Sequence, residues 1–358
     1  MLSQELKNSF LSIVRLGIGH DSEFPTIIED WHTIETLASE QGLSAILVDG
    51  IEQLPESLRP PKEILLQWIG EVLQNYESRY KRYQDATGSL AAFYNHRGFN
   101  MMVLKGYACS LDWPRPDHRP CGDIDIWQFG KQKESDELIT KEKKLNVDAS
   151  HHHHTVFEWD GFSVENHFDF INIHHHKSNV SFESILKELG RDDSHWVEVN
   201  GGKVYLPSPN LHALFLLKHL MMHFASEGIT LRQVLDWGFF VENHSKEVDW
   251  KYVMEILERF GMKNMFNIIN AICVGDLSFD VALFPTVQFD PMLKDKVLNE
   301  ILTPEFSNTT PKELLKRIPF KIRRWKGSAW KHELCYKESL WSAFWSGVWS
   351  HLIKPSSI

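Results

Sequence analysis

Residues 155–159 read Thr155-Val156-Phe157-Glu158-Trp159, and residues 162–170 read Phe162-Ser163-Val164-Glu165-Asn166-His167-Phe168-Asp169-Phe170. Between them stands Asp160-Gly161. Two runs rich in aromatic and β-branched residues around Asp-Gly predict a β-hairpin, because both central residues of the tight turn need positive φ. Related patterns lie on either side. Met101-Met102-Val103-Leu104 is a short apolar run that ends at Lys105-Gly106. Asp123-Ile124-Asp125-Ile126-Trp127 alternates polar and apolar residues, as a half-buried strand should. Residues 196–206 form another hairpin-like segment around Asn200-Gly201-Gly202.

Helical patterns surround these strands. In residues 31–40, Trp31, Ile34, Leu37 and Ala38 share one helix face, and Gly42 supplies the stop. Pro60-Pro61 precedes a long amphipathic stretch, residues 62–96, with Ile64, Leu65, Trp68, Ile69, Val72 and Leu73 as its apolar stripe. A short helix is expected over 107–111 and a charged one over 131–144. Further helices are expected from Asn210 onward. The fold class this predicts is α+β, a small mixed sheet flanked by helical modules. Its divisions fall at 1–98, 99–206, 207–305 and 306–358, the last being basic and Trp-rich.

Composition narrows the class. With 42% hydrophobic and 24% charged residues, the 358-residue chain reads as an ordinary globular protein. A net charge of −10 argues against a surface that binds nucleic acid all over. Cys109, Cys121, Cys273 and Cys335 form no Cys-x-x-Cys pair, which points to a reducing cytoplasm. Residues 1–10 lack the basic start and apolar stretch of a signal peptide. No uninterrupted apolar run is long enough to predict a membrane-spanning helix.

The chemistry concentrates at residues 119–126. Alternate strand residues point to one face, so Asp123 and Asp125 project together while Ile124 and Ile126 point to the other side. Two ionised carboxylates that close repel each other, and a divalent cation removes the penalty. Mg²⁺ takes oxygen ligands and keeps substrate phosphates among them. Gly122 leaves room for a close approach. Glu165, His167 and Asp169 share a face of the hairpin strand. If that strand lies beside Asp123 and Asp125, Glu165 completes a three-carboxylate site suited to two-metal phosphoryl chemistry. An isolated Asp-x-Asp is more often an ordinary surface pattern, so its context carries the argument.

That context resembles the DNA polymerase β-like nucleotidyltransferase superfamily, in which a strand and a glycine turn precede a second strand bearing Asp-x-Asp. It is more closely similar to a family of uncharacterised bacterial nucleotidyltransferases. The resemblance rests on Val103-Leu104-Lys105-Gly106, Arg119-Pro120-Cys121-Gly122-Asp123-Ile124-Asp125-Ile126, Val164-Glu165-Asn166-His167 and Leu231-Arg232-Gln233-Val234-Leu235-Asp236. It spans roughly residues 30–245. It implies transfer of a nucleoside monophosphate from an NTP, ATP among them, to a hydroxyl acceptor. Asp123, Asp125 and Glu165 would then hold Mg²⁺ or Mn²⁺. The acceptor, whether protein, sugar, small molecule or RNA, is not readable. The chain departs from the wider superfamily at the Gly-Ser turn, replaced here by Lys105-Gly106-Tyr107. A catalytically silent nucleotide- or partner-binding protein is the alternative that this departure suggests.

Other groups carry two readings each. Lys105 beside Gly106 is either a phosphate ligand, aided by helix N–H groups, or a solvated lysine. Arg119 either binds phosphate or pairs with an acidic neighbour. Lys218 and His219 interrupt an apolar helix, and Lys218 is costly there unless it faces a cleft or partner. Arg232 and Asp236 have the spacing of a helix ion pair, although Arg232 and Lys218 also suit a triphosphate. The runs 151–154 and 174–176 suggest a transition metal and a metal hydrolase, or solvated histidines at hairpin ends. Residues 312–337 hold nine Lys or Arg against two Glu. They suit a polyanion such as RNA or a membrane surface, or simply balance an acidic body. Trp341, Trp345 and Trp349 make one stripe, as on a docked helix.

Overall fold

The computed structural model describes residues 2–20, 23–26, 28, 30–174, 176–306 and 323–341. Its centre is a six-stranded mixed sheet in the order β3-β4-β2-β1-β6-β5. The strands are β1 (Met101–Val103), β2 (Ile124–Trp127), β3 (His154–Trp159), β4 (Phe162–His167), β5 (Trp196–Val199) and β6 (Gly202–Tyr205). Both hairpins form. Asp160 and Gly161 take φ of +48° and +81°, and Asn200 and Gly201 take +46° and +82°, the signs a tight two-residue turn requires. β1 runs antiparallel to β2, while β2–β4 and β1–β6 are parallel.

Helices α1 (Gln4–Gly17), α2 (Trp31–Glu40), α3 (Ser44–Gln53) and α4 (Lys62–Val72) precede the sheet. α4 continues through a π-turn into α5 (Ser78–Asn95), so the long stretch expected over 62–96 is helical with one widened turn. After β1 come α6 (Tyr107–Ser110), α7 (Gln132–Leu138), α8 (Lys177–Leu189), α9 (Pro209–Ser226) and α10 (Leu231–His244). Next are α11 (Trp250–Phe260), α12 (Lys263–Leu277), α13 (Pro291–Leu302) and the helix Ala329–Cys335. Their starts follow local chemistry. Asp30 and Asp249 accept backbone N–H bonds at the starts of α2 and α11, and Thr230 with Gln233 forms a capping box on α10. No helix among the described residues is long and apolar enough to cross a membrane.

The sheet separates two apolar layers. Ile124, Ile126, Phe157 and Val164 pack with Tyr83, Leu90 and Tyr94 of α5. Met102, Leu104, Trp127 and Tyr205 join the core of α9 and α10, which continues through α1–α3 and α12. The helices before and after the sheet therefore share one core. Buried Gln41 ties them together: its amide donates to Ile301 O at 3.0 Å, and Leu231 N donates to its carbonyl at 2.7 Å.

The sequence overextends one strand. β4 stops at His167 instead of reaching Phe170. The backbone N–H groups of Phe170 and Ile171 turn to the Glu183 carboxylate on α8, at 2.9 and 3.1 Å. Asp169 consequently leaves the strand face and pairs with Lys187.

Candidate active site

The turn after β1 is built around Gly106. Leu104 N donates to Asp125 O at 3.0 Å, which closes the end of the β1–β2 pair. Gly106 has φ +51°, and an added Cβ would run into the Tyr83 hydroxyl. That hydroxyl donates to Asp123 O at 3.0 Å. Burial raises the Tyr83 pKa, so it is held as a neutral donor. α6 is one turn of four residues, too short for the helix N–H contribution expected at Lys105.

The expected strand neighbourhood forms. Asp125 on β2 is the register partner of Glu165 on β4. His167 lies two residues further along the same face. Its Nε2 is 3.2 Å from Asp125 Oδ1 and 3.6 Å from Glu165 Oε2. Lys105 Nζ is 2.7 Å from the same Asp125 oxygen. Burial acts to raise the Asp125 carboxyl, but the Lys105 charge and the His167 hydrogen bond hold it well below the usual carboxylate range. Burial acts to lower His167, and its bonds to Asp125 and Glu165 outweigh that and raise it.

Asp123 sits just before β2 and is exposed. Partial desolvation at the pocket rim raises its pKa, as do Glu165 and Asp125, with Lys105 opposing. The donor set fits a divalent ion: one ligand atom each from Asp125, Glu165 and His167 lie within 4.8 Å of one another. Asp123 stands outside that tight group. The tightest trio thus contains an imidazole in place of the third carboxylate.

The basic residues separate into distinct roles. Arg119 makes a two-pronged pair with Asp236, Nε to Oδ1 at 2.7 Å and Nη2 to Oδ2 at 2.9 Å. Trp113 Nε1 donates to the same Oδ1 at 2.9 Å. The planar guanidinium matches both carboxylate oxygens, so Asp236 answers Arg119 across the chain instead of Arg232 within its own helix. Arg232 is left with a buried Nε that has no hydrogen-bond partner. Burial and the nearby Arg119 charge lower its pKa.

Lys105, Arg119, Gly122, Asp123, Asp125 and Arg232 help line a pocket of about 190 Å³. It adjoins a larger cleft of about 1030 Å³, which shares Lys105, Asp123 and Arg232 and adds Glu165 and His167. Lys218 does not line either one. It is buried with its Nζ 4.4 Å from the Tyr336 ring and 5.4 Å from Phe182, and burial pushes its pKa down to about 8. The cost expected for Lys218 in an apolar helix is thus met by aromatic rings, not by a cleft anion. Its neighbour His219 takes the site position: Nε2 is 3.1 Å from Lys105 Nζ. Burial, then Lys105, drive the His219 pKa far down, so a neutral ring accepts from the ammonium. The apolar run had exposed both residues as exceptions without saying which would face inward.

The histidine runs depart from the solvated reading in part, with His151 and His174 exposed and His154 and His176 buried. His154 opens β3 and is buried, and His153 and His154 line the cleft. Burial pushes their pKa values down to about 2 and about 4. His176 stacks on Tyr336 with ring centroids 3.8 Å apart. Arg324 and Trp325 line the cleft as well, a placement that the charge pattern of 312–337 did not reveal. His175, residues 312–322, Trp345 and Trp349 lie outside the described residues.

A family model described as "Uncharacterised nucleotidyltransferase" matches residues 28–274. No curated protein matches the chain. One similar solved structure is the crystal structure of an antigenic nucleotidyltransferase-like protein from Paracoccidioides brasiliensis. It is 13% identical, with 56% of this chain and 97% of that chain covered at a TM-score of 0.33.

Proposed function

This chain belongs to a family of uncharacterised nucleotidyltransferases, and from that membership we propose that it transfers a nucleoside monophosphate from an NTP to a hydroxyl acceptor. The acceptor oxygen bonds to the α-phosphorus. The bond from that phosphorus to the bridging oxygen breaks, pyrophosphate leaves with the electron pair, and the hydroxyl proton passes to Glu165. Asp123, Asp125 and Glu165 would hold Mg²⁺ or Mn²⁺, which supplies neutralising charge to the phosphates. Lys105 and Arg232 bind phosphate oxygens, and Gly106 and Gly122 leave room for them. Arg119, committed to Asp236, holds the wall of the pocket. Lys218 is left out of this set because it does not line the cleft. Membership of the wider DNA polymerase β-like superfamily is part of the same proposal, as is residence in the cytoplasm.

The observation that most supports this reading is the in-register Asp125–Glu165 pair, with Asp125 lining the smaller pocket, Glu165 the adjoining cleft, and Lys105 and Arg232 lining both. Developing phosphate charge is stabilised best by cations already fixed in place. Acceptors to be tried are a protein hydroxyl, a sugar, a small molecule and an RNA end. The test incubates the full chain with each α-labelled NTP, Mg²⁺ or Mn²⁺, and a cell lysate, and follows both label transfer and pyrophosphate. Transfer that is lost in the Asp123→Asn, Asp125→Asn double variant supports the reading. Undiminished transfer in that variant overturns it.

A second reading has one specific observation behind it. The Lys105 ammonium already neutralises Asp125 at 2.7 Å, which is the service a metal ion would render. A protein that binds an NTP and releases no pyrophosphate would fit that contact, and the same assay separates the two.

A further inference from the structure

The described residues hold a second cluster of metal-type donors beside the carboxylates, and it is made of nitrogen. His154 at the start of β3 is the antiparallel register partner of His167 on β4. The residue before it is pinned in place: His153 O accepts from Phe168 N at 3.0 Å and from Asp169 N at 3.1 Å. The three rings converge, with centroids 4.4 Å apart for His153–His154, 5.2 Å for His154–His167 and 5.5 Å for His153–His167. One ring nitrogen from each lies within 4.8 Å of the others.

Two of the three rings hold nitrogens in want of partners. His154 has a side chain 9% exposed, and neither of its ring nitrogens has a hydrogen-bond partner. The buried Nδ1 of His153 has none either. Buried polar atoms are normally satisfied, and exceptions call for a physical cause. His167 adds the arrangement usual for a metal-binding imidazole. Its Nδ1 lies 3.1 Å from Asp169 O, so an N–H there donates to the carbonyl, and a metal that displaces the Nε2 proton shared with Asp125 and Glu165 meets the Nε2 lone pair. Glu165 Oε2 is 3.7 Å from His154 Nδ1 and 3.6 Å from His167 Nε2. Ligands around tetrahedral zinc stand about 3.3 Å apart, given metal–nitrogen bonds of about 2.0–2.1 Å.

Another acid–histidine cluster provides the contrast. Glu77, Asp117 and His118 also lie close together, but His118 bonds to both Asp49 and Glu77, and Arg115 pairs with Asp49, Glu77 and Asp117. That cluster is already neutralised by its own cations. The histidine cluster is not, and its donors suit a different ion from the carboxylates. Imidazole selects zinc and its transition-metal neighbours, whereas Mg²⁺ prefers oxygen.

We infer that His153, His154 and His167, with Glu165 as the oxygen ligand, form a binding site for a transition-metal dication of the Zn²⁺ class. The site borders the carboxylate pair through Glu165. It goes beyond the proposed transfer reaction, and metal counting tests it without any turnover.

The experiment uses the full chain carrying no polyhistidine tag. After chelation and dialysis, zinc is titrated calorimetrically, bound metal is counted, and cobalt absorption reports the donor geometry. The expected result is one equivalent per chain, with the cobalt spectrum of a four-coordinate, nitrogen-containing site. His153→Ala with His154→Ala removes two ligands and should weaken binding by more than about 100-fold, since loss of a ligand's hydrogen-bond partner alone costs up to about that much. His174→Ala, on an exposed residue of the second run, should leave affinity unchanged. If the alanine pair fails to fold, His154→Asn and the wild-type cobalt spectrum decide. No zinc uptake, an octahedral cobalt spectrum, or equal losses in the His154 and His174 variants would overturn the inference.

Discussion

Arg119 and Asp236 form a buried, two-pronged ion pair that fastens the segment before β2 to helix α10, with contacts of 2.7 and 2.9 Å. The pair shapes one wall of the pocket, and among the described residues it leaves the buried Nε of Arg232 without a hydrogen-bond partner. Removing one member of such a pair strands a buried charge.

Asp236→Asn is therefore expected to destabilise the fold by about 3 kcal/mol or more. Equilibrium urea unfolding measures it. A loss well under 1 kcal/mol would show that Arg119 finds compensation elsewhere.

At Asp123 the proposed chemistry and the fold draw on different groups. Its carbonyl, not its exposed carboxylate, takes the structural bond from Tyr83. Asp123→Asn should leave the melting temperature near that of the parent chain. Pyrophosphate release should fall by about 100-fold or more, the scale on which fixed charges stabilise a transition state. Equal rates in the two proteins would remove Asp123 from the machinery.

Gly106 meets two constraints, a positive φ and the approach of the Tyr83 hydroxyl. Gly106→Ala should cost about 1–3 kcal/mol from backbone strain and crowding. Adding Tyr83→Phe removes the clashing oxygen and should return part of that loss, while the strain in φ remains. A double-mutant cycle reads the coupling, and strictly additive losses would contradict the crowding account.

His118 predicts a pH effect on stability. Burial acts to lower its pKa, but its bonds to Asp49 at 2.6 Å and Glu77 at 3.2 Å outweigh that and raise it above the ordinary histidine value. A raised histidine pKa in the folded state means the stabilisation is full below the unfolded pKa, about 6.5. It is then lost as pH rises through the higher folded value. Thermal melts should show that decline from pH 6.5 upward, and His118→Gln should flatten it. An unchanged slope in the variant would assign the effect to another group.

Local patterns carried much of this fold. Asp160-Gly161 and Asn200-Gly201 mark their own turns, and the alternation in residues 123–127 marks β2, because turn dihedrals and strand pleats act over a few residues. The Asp125–Glu165 pairing could be stated as a condition on strand order, and the register meets it. What lay beyond reach depends on distant partners. Nothing near Arg119 announces Asp236, and nothing near His167 announces His154 as its cross-strand neighbour. The choice between Lys218 and His219 had a different obstacle. α9 is buried around most of its surface, so its sequence has little polar face from which to read its rotation. The strand expected to reach Phe170 stops early because Glu183, from another helix, captures the next two backbone N–H groups.

The Lys105–Asp125 contact has a consequence for how the chain is made. Ribosomes add roughly 5–20 residues each second, so β4 emerges several seconds before α9 and α10. When Asp125 and Glu165 are first ready to align, His219 and Arg232 have not been synthesised. Lys105 has, and the pairing of β1 with β2 brings it to Asp125. A tethered ammonium would let the two acidic strands associate during that interval, acting as a chaperone for the charge of its own neighbours.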